Sequence, residues 1–151
     1  MSIALAGVML FSLFIFLNTK SITKSNIKLE LQSQLSIITE TILQCKEYSN
    51  MMPIQDDGAD ANNTALNTLE CNTSTPYKLD GGKNSFIPRA VDGFSDYNAT
   101  KDGSEFYFST TTSTNSYNDE VLQELNSTYS TNQYELTRDS STVQLKFYLS
   151  R

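Results

Sequence analysis

Histidine and tryptophan are absent from the 151 residues, and cysteine occurs only twice. Without histidine there is no Ser–His or Cys–His pair, no usual general base near neutral pH and no imidazole metal ligand. Two cysteines are too few for a thiolate zinc site. Glycine occurs six times, and Gly81-Gly82-Lys83 is too short for a phosphate-binding loop. Proline is scarcer still, with three in all: none precedes Pro53, so nothing of that kind interrupts a helix in the first third of the chain. Charge is missing from the start altogether, and the first ionisable side chain is Lys20. These absences leave no catalytic constellation, and no enzyme is expected. No cofactor is expected either.

What is present begins with Met1–Asn18, MSIALAGVMLFSLFIFLN, apolar and uncharged. As a helix, residues 2–19 extend about 27 Å, enough for a thin bilayer core. Beyond it, Ile27, Leu31, Leu35, Ile38, Ile42 and Cys45 recur at intervals of three and four, the pattern of an amphipathic helix. One rod through about Asn50 would be roughly 75 Å long. Met51-Met52-Pro53 ends it. The expected division is an N-terminal helix over 1–50, with 1–19 as transmembrane or buried segment and 20–50 as stalk. A single globular head over 51–151 follows.

Charge follows the same division. Residues 1–50 hold four Lys and three Glu, net +1, and residues 51–151 hold seven Lys/Arg and fourteen Asp/Glu, net −7. So acidic a head argues against a nucleic-acid partner, whose phosphates call for Lys and Arg. Cys45 and Cys71 fall at the end of the rod and in the loops after it. With an apolar N-terminal segment they read as a disulfide formed in an oxidising compartment, the alternative being two buried thiols. The start has no basic flank and no small-residue cleavage site, unlike a secretory signal. The reading adopted is that Met1 follows a leader already removed.

In the head, Gln55–Asn63 is a polar loop in which Asp56, Asp57 and Asp60 invite calcium, but the spacing is not that of an EF-hand. A solvated acidic loop is the commoner explanation. A turn of helix over Ala65–Leu69 is expected, and an extended course through Phe86–Arg89. Glu105–Thr112 alternates as a half-buried strand, Phe106 and Phe108 facing one way and Tyr107 and Ser109 the other. Tyr117–Asn126 reads as a short helix capped by Asn118, with Val121, Leu122 and Leu125 apolar and Glu120 and Glu124 on a charged face. Gln133–Arg138 and Thr142–Leu149 flank Asp139-Ser140-Ser141 as a hairpin, with Gln144, Lys146 and Tyr148 on its outer face. The fold expected is α+β, with an antiparallel sheet over 105–149 covered by the amphipathic stalk. N-x-S/T triplets begin at Asn62, Asn72, Asn98 and Asn126, acceptors for glycan if the chain meets the enzyme that adds it.

Taken together, MSIALAGVMLFSLFIFL at the start, ILQCKEYSN at the rod's end, the later Cys71 and SFIPRAVDGF before the sheet resemble a type IV pilin or pseudopilin. The resemblance spans the chain, with Pro53–Ser85 in the place of the family's αβ-loop. It implies a structural subunit of an extracellular filament on the cell surface, held in the inner membrane before assembly. Its implied partners are copies of itself or related pilins and the pilus assembly machinery. Ile3, Leu5, Val8, Leu10, Phe11, Phe14, Ile15 and Leu17 would form the packed filament core, with Ala4, Ala6 and Gly7 allowing close helix approach. Two positions depart from the family. Leu5 stands where a glutamate usually meets a neighbour's N-terminal amine, and Ile22 stands where a helix-loosening proline is usual. The first departure is shared with family members at the filament tip, so a minor or tip pseudopilin is the alternative. A single-span anchor carrying an extracytoplasmic binding domain is another.

Overall fold

The computed structural model describes the backbone of residues 2–81, 86–129 and 132–150, and side chains from Thr23 onward within those spans. Helix α1 (Ser2–Ser49) is unbroken over 48 residues. It ends where Asn50 adopts φ 58°, the left-handed conformation that asparagine tolerates at a helix C-terminus. The Ser49 hydroxyl shares its hydrogen between the Cys45 carbonyl at 2.8 Å and the Met51 carbonyl at 2.9 Å, tying the chain just past the helix back to its last turn.

Five antiparallel strands form the main sheet in the order β1-β4-β5-β7-β6. They are β1 (Thr64–Ala65), β4 (Asn98–Asp102), β5 (Glu105–Ser113), β6 (Tyr134–Arg138) and β7 (Thr142–Ser150). A separate hairpin joins β2 (Glu70–Cys71) to β3 (Tyr77–Lys78), and a 3-10 turn covers Leu66–Thr68. The sheet therefore starts earlier than alternation announces, because β4, NATKD, buries only Ala99. Helix α2 (Tyr117–Asn126) lies between β5 and β6 in the chain. The fold is α+β.

One core unites these parts. Leu31, Leu35, Ile38, Ile42 and Cys45 of α1, each at most 2% exposed, join Phe106 and Phe108 of β5 and Val143, Leu145 and Phe147 of β7. Val121, Leu122 and Leu125 of α2 complete it. Registry explains the selection: Phe108 lies opposite Phe147, Thr110 opposite Leu145 and Thr112 opposite Val143, so one face of β5 and β7 points inward. Each buried Val, Leu, Ile or Phe among them contributes about 1.5–3 kcal/mol relative to exposure.

One local expectation needs correction. The cap of α2 is Ser116, whose hydroxyl accepts the Asp119 N–H at 3.1 Å. Asn118 instead is buried and donates Nδ2 to the Asp92 carbonyl at 2.9 Å. That bond needs Gly93 (φ 83°), because a Cβ there would stand 2.5 Å from Asn118 Nδ2. Tyr148 does share the outer face with Lys146, and its neighbours cover it there. It is 6% exposed, with its ring 5.1 Å from Tyr107 and its hydroxyl donating to Glu135 at 2.9 Å.

Candidate assembly and binding surfaces

The two cysteines meet. Cys45, in the last turns of α1, is disulfide-bonded to Cys71 at the end of β2, with Cα atoms 5.5 Å apart. The bond ties the segment after the helix back onto it, and the two short strands beside it hold Leu69 and Leu79 in the core.

Where α1 enters the head, two helices run in register. Lys24 pairs with Glu120, and Lys28 Nζ lies 3.5 Å from Glu124 Oε2. Both sets are spaced by four residues, so one turn of α1 matches one turn of α2. Glu120 and Glu124 are thus ion-pair partners as well as a charged helix face.

On its outward side α1 presents Leu29, Ser33, Ser36, Glu40, Leu43 and Glu47, all exposed and spaced by three or four. Leu29 is 63% exposed and Leu43 44%. Beside Leu43, a shallow groove of about 430 Å³ runs along Ser36, Thr39, Glu40, Gln44 and Glu47. The Thr39 hydroxyl is buried there and, among the described residues, has no hydrogen-bond partner.

A second concavity lies across the head. The segment Phe86–Arg89 is held against α1 by two of the helix's own polar side chains. Gln34, 6% exposed, donates Nε2 to the Arg89 carbonyl at 2.9 Å and accepts the Tyr97 hydroxyl at 2.7 Å. Thr41 Oγ1, bonded to the Ile37 carbonyl at 2.9 Å, also faces the Phe86 carbonyl at 3.4 Å. Burial, with the Glu30 charge adding to it, pushes the Tyr97 phenol well above its usual range, so it remains a neutral donor. The cleft beside this segment measures about 310 Å³.

Of the other residues singled out by sequence, Asn62, Asn72 and Asn126 are exposed, while Asn98 is half-buried and donates to Asn63 Oδ1 at 3.2 Å. Asp57 accepts the Ala59 N–H and Asp60 pairs with Lys101 at 2.8 Å. Among the described residues, no three acidic or cysteine side chains are grouped to hold a metal ion. Ile3, Leu5, Val8, Leu10, Phe11, Phe14, Ile15 and Leu17 lie outside the described side chains. Among the described residues no helix is long and apolar enough to cross a membrane. Sequence reasoning missed the buried Asp119 and the tie from Gln34 to Tyr97, which join residues 19 and 63 positions from their partners. No family model matches the chain, and neither a curated protein nor a solved structure matches it.

Proposed function

We propose that this chain is a structural subunit of a type IV pilus-like filament, polymerising through the N-terminal part of α1. The observation that carries the reading is the continuity of α1 from Ser2 to Ser49, whose Leu31, Leu35, Ile38, Ile42 and Cys45 are seated in the head core. The sequence of the other half is apolar and free of charge through Thr19. In a bilayer such a helix satisfies its backbone internally and its surface with lipid. Withdrawn from lipid, it must bury Leu5, Val8, Leu10, Phe11, Phe14, Ile15 and Leu17 against similar helices, at about 1.5–3 kcal/mol for each large side chain. The outward stripe of Leu29 and Leu43 then faces neighbouring subunits, and the acidic head is displayed outside.

A minor or tip subunit is the second reading, favoured by Leu5, which removes the carboxylate that would receive a neighbour's N-terminal amine. The test is electron microscopy of sheared material from cells expressing Phe11→Asp as the only copy. A buried unpaired carboxylate costs several kcal/mol, so filaments are lost while the head stays folded. Normal filaments containing Phe11→Asp would reduce the segment to an anchor. Loss of filaments only in part, with a wild-type copy of another pilin present, identifies the minor subunit.

A further inference from the structure

We propose that the cleft beside Phe86–Arg89 is a binding site for a neutral carbohydrate, a pyranose unit of a surface glycan. The proposal stands apart from the filament reading and holds equally for an anchored monomer.

Its volume, about 310 Å³, is at the small end of ligand sites, which run from about 300 to 1,000 Å³. The walls carry Asn67, Asp80, Arg89 and Asp96 with the rings of Phe86 and Tyr97. Phe86 is 60% exposed, an apolar ring left in water on a segment that is otherwise tied down. Among the described residues, the side chains of Asn67, Asp80, Arg89 and Asp96 have no hydrogen-bond or ion-pair partner. The wall itself is preorganised. Gln34 and Thr41 are buried polar side chains of α1 directed at the two ends of Phe86–Arg89, and Gln34 also fixes the Tyr97 hydroxyl. A ligand therefore meets a segment held to α1 by hydrogen bonds, one exposed ring and four polar side chains. Little conformational freedom is lost in the wall when it binds.

The mixture of groups selects the ligand class. A ring face carries negative potential and accepts the polarised C–H face of a sugar. Two carboxylates accept hydroxyl hydrogens, the Arg89 guanidinium donates to ring or hydroxyl oxygens, and the Asn67 amide does both. An anion is disfavoured by Asp80 and Asp96 within a head of net charge −7 (seven Lys/Arg against fourteen Asp/Glu). A simple ammonium would leave the Arg89 donors unused, and an apolar ligand would cover Phe86, Ile87 and Pro88 but leave the carboxylates and Arg89 without partners. A polyhydroxylated neutral molecule uses every group present.

The test uses the full chain in a zwitterionic detergent without a sugar headgroup. Methyl α-mannopyranoside, methyl β-galactopyranoside and the methyl glycoside of N-acetylglucosamine are each titrated by saturation-transfer NMR, with cadaverine as an amine probe. At least one glycoside is expected to bind with a dissociation constant of the order of 1 mM, receiving transfer from aromatic protons. Phe86→Ala should weaken it about tenfold and Asp96→Asn by a smaller factor, with circular dichroism unchanged. Absence of binding by all three up to about 50 mM overturns the proposal, as does binding that survives Phe86→Ala undiminished. Cadaverine binding in place of the glycosides overturns it too, and assigns the cleft to cations.

Discussion

Arg138 closes a fork on Asp119 from 19 residues away: Nη1 lies 3.1 Å from Oδ2, and Nη2 bonds Oδ1. The Asp119 side chain is 3% exposed and the Arg138 side chain 41%, so the carboxylate is the buried member. Asp119 also accepts the Asn115 N–H at 3.0 Å and the Gln123 amide at 3.2 Å. One side chain thereby joins the start of α2, the turn before it and the edge strand β6. Removing it leaves those donors unpaired, so Asp119→Ala should cost about 2–3 kcal/mol, read as a lower urea midpoint with unchanged slope.

The same carboxylate makes the head acid-sensitive. The Arg138 hydrogen bonds, opposed by burial and reinforced by Asn115 and Gln123, hold its pKa below the usual carboxylate value. A depressed folded pKa contributes stability that is present above the unfolded value and lost as pH falls through the folded one. Asp139 acts in the same direction. The N–H groups of Ser141 and Thr142 in the hairpin turn are the main cause, and they lower its carboxyl to about 2. Denaturation at neutral pH and near pH 3 should show a larger loss for the natural chain than for Asp119→Ala, because the variant has already lost one of the two contributors. Equal losses would remove Asp119 from the explanation.

For Gln34 the expectation concerns coupling. Gln34→Ala leaves the Tyr97 hydroxyl and the Arg89 carbonyl unpaired in a buried place, costing about 1–3 kcal/mol. Tyr97→Phe alone removes one partner of the same bond. The double variant should be less destabilised than the sum of the two, by about 0.5 kcal/mol or more. Strict additivity in urea titrations would show that the bond contributes nothing of its own.

Breaking the Cys45–Cys71 bond should lower stability by about 3 kcal/mol on the loop-entropy estimate for a separation of 26 residues. Mass spectrometry of the alkylated native protein, before and after reduction, checks that the bond is formed. A urea titration of Cys71→Ser gives the size.

The lysine pairs on α1 are more exposed and should matter less. Reversing charge with Glu120→Lys and Glu124→Lys together should destabilise the seating of α1 by about 1 kcal/mol, and the loss should shrink as salt is raised. A loss that is unchanged in about 1 M salt would point to packing rather than charge.

Much of this fold is legible in the sequence wherever a face repeats. Leu31, Leu35, Ile38 and Ile42 announce α1, and Val143, Leu145 and Phe147 announce β7, because burial on one side writes a period into the chain. Strand β4 is not legible: Asn98–Asp102 has only Ala99 to bury, and its place is set by pairing with β5. Gln34 and Thr41 look like the polar side of an amphipathic helix. Their burial depends on Phe86–Arg89 crossing above them, a long-range contact with no local signature. Asn118 lost the capping role for a similar reason. Ser116, two residues earlier, directly precedes the helix, and the Asp92 carbonyl claims Asn118. Of the candidate surfaces, only the cysteine pair was readable in advance, since reactivity confines cysteine to few uses.

The bond between Cys45 and Cys71 also decides how this molecule bears tension. If the chain is pulled from its two ends, force passes through the sulfur atoms and bypasses the residues between them. That withholds 26 peptide units, about 85 Å of contour length, from any extension of the stretched chain. A reducing agent would release that length to the stretched chain.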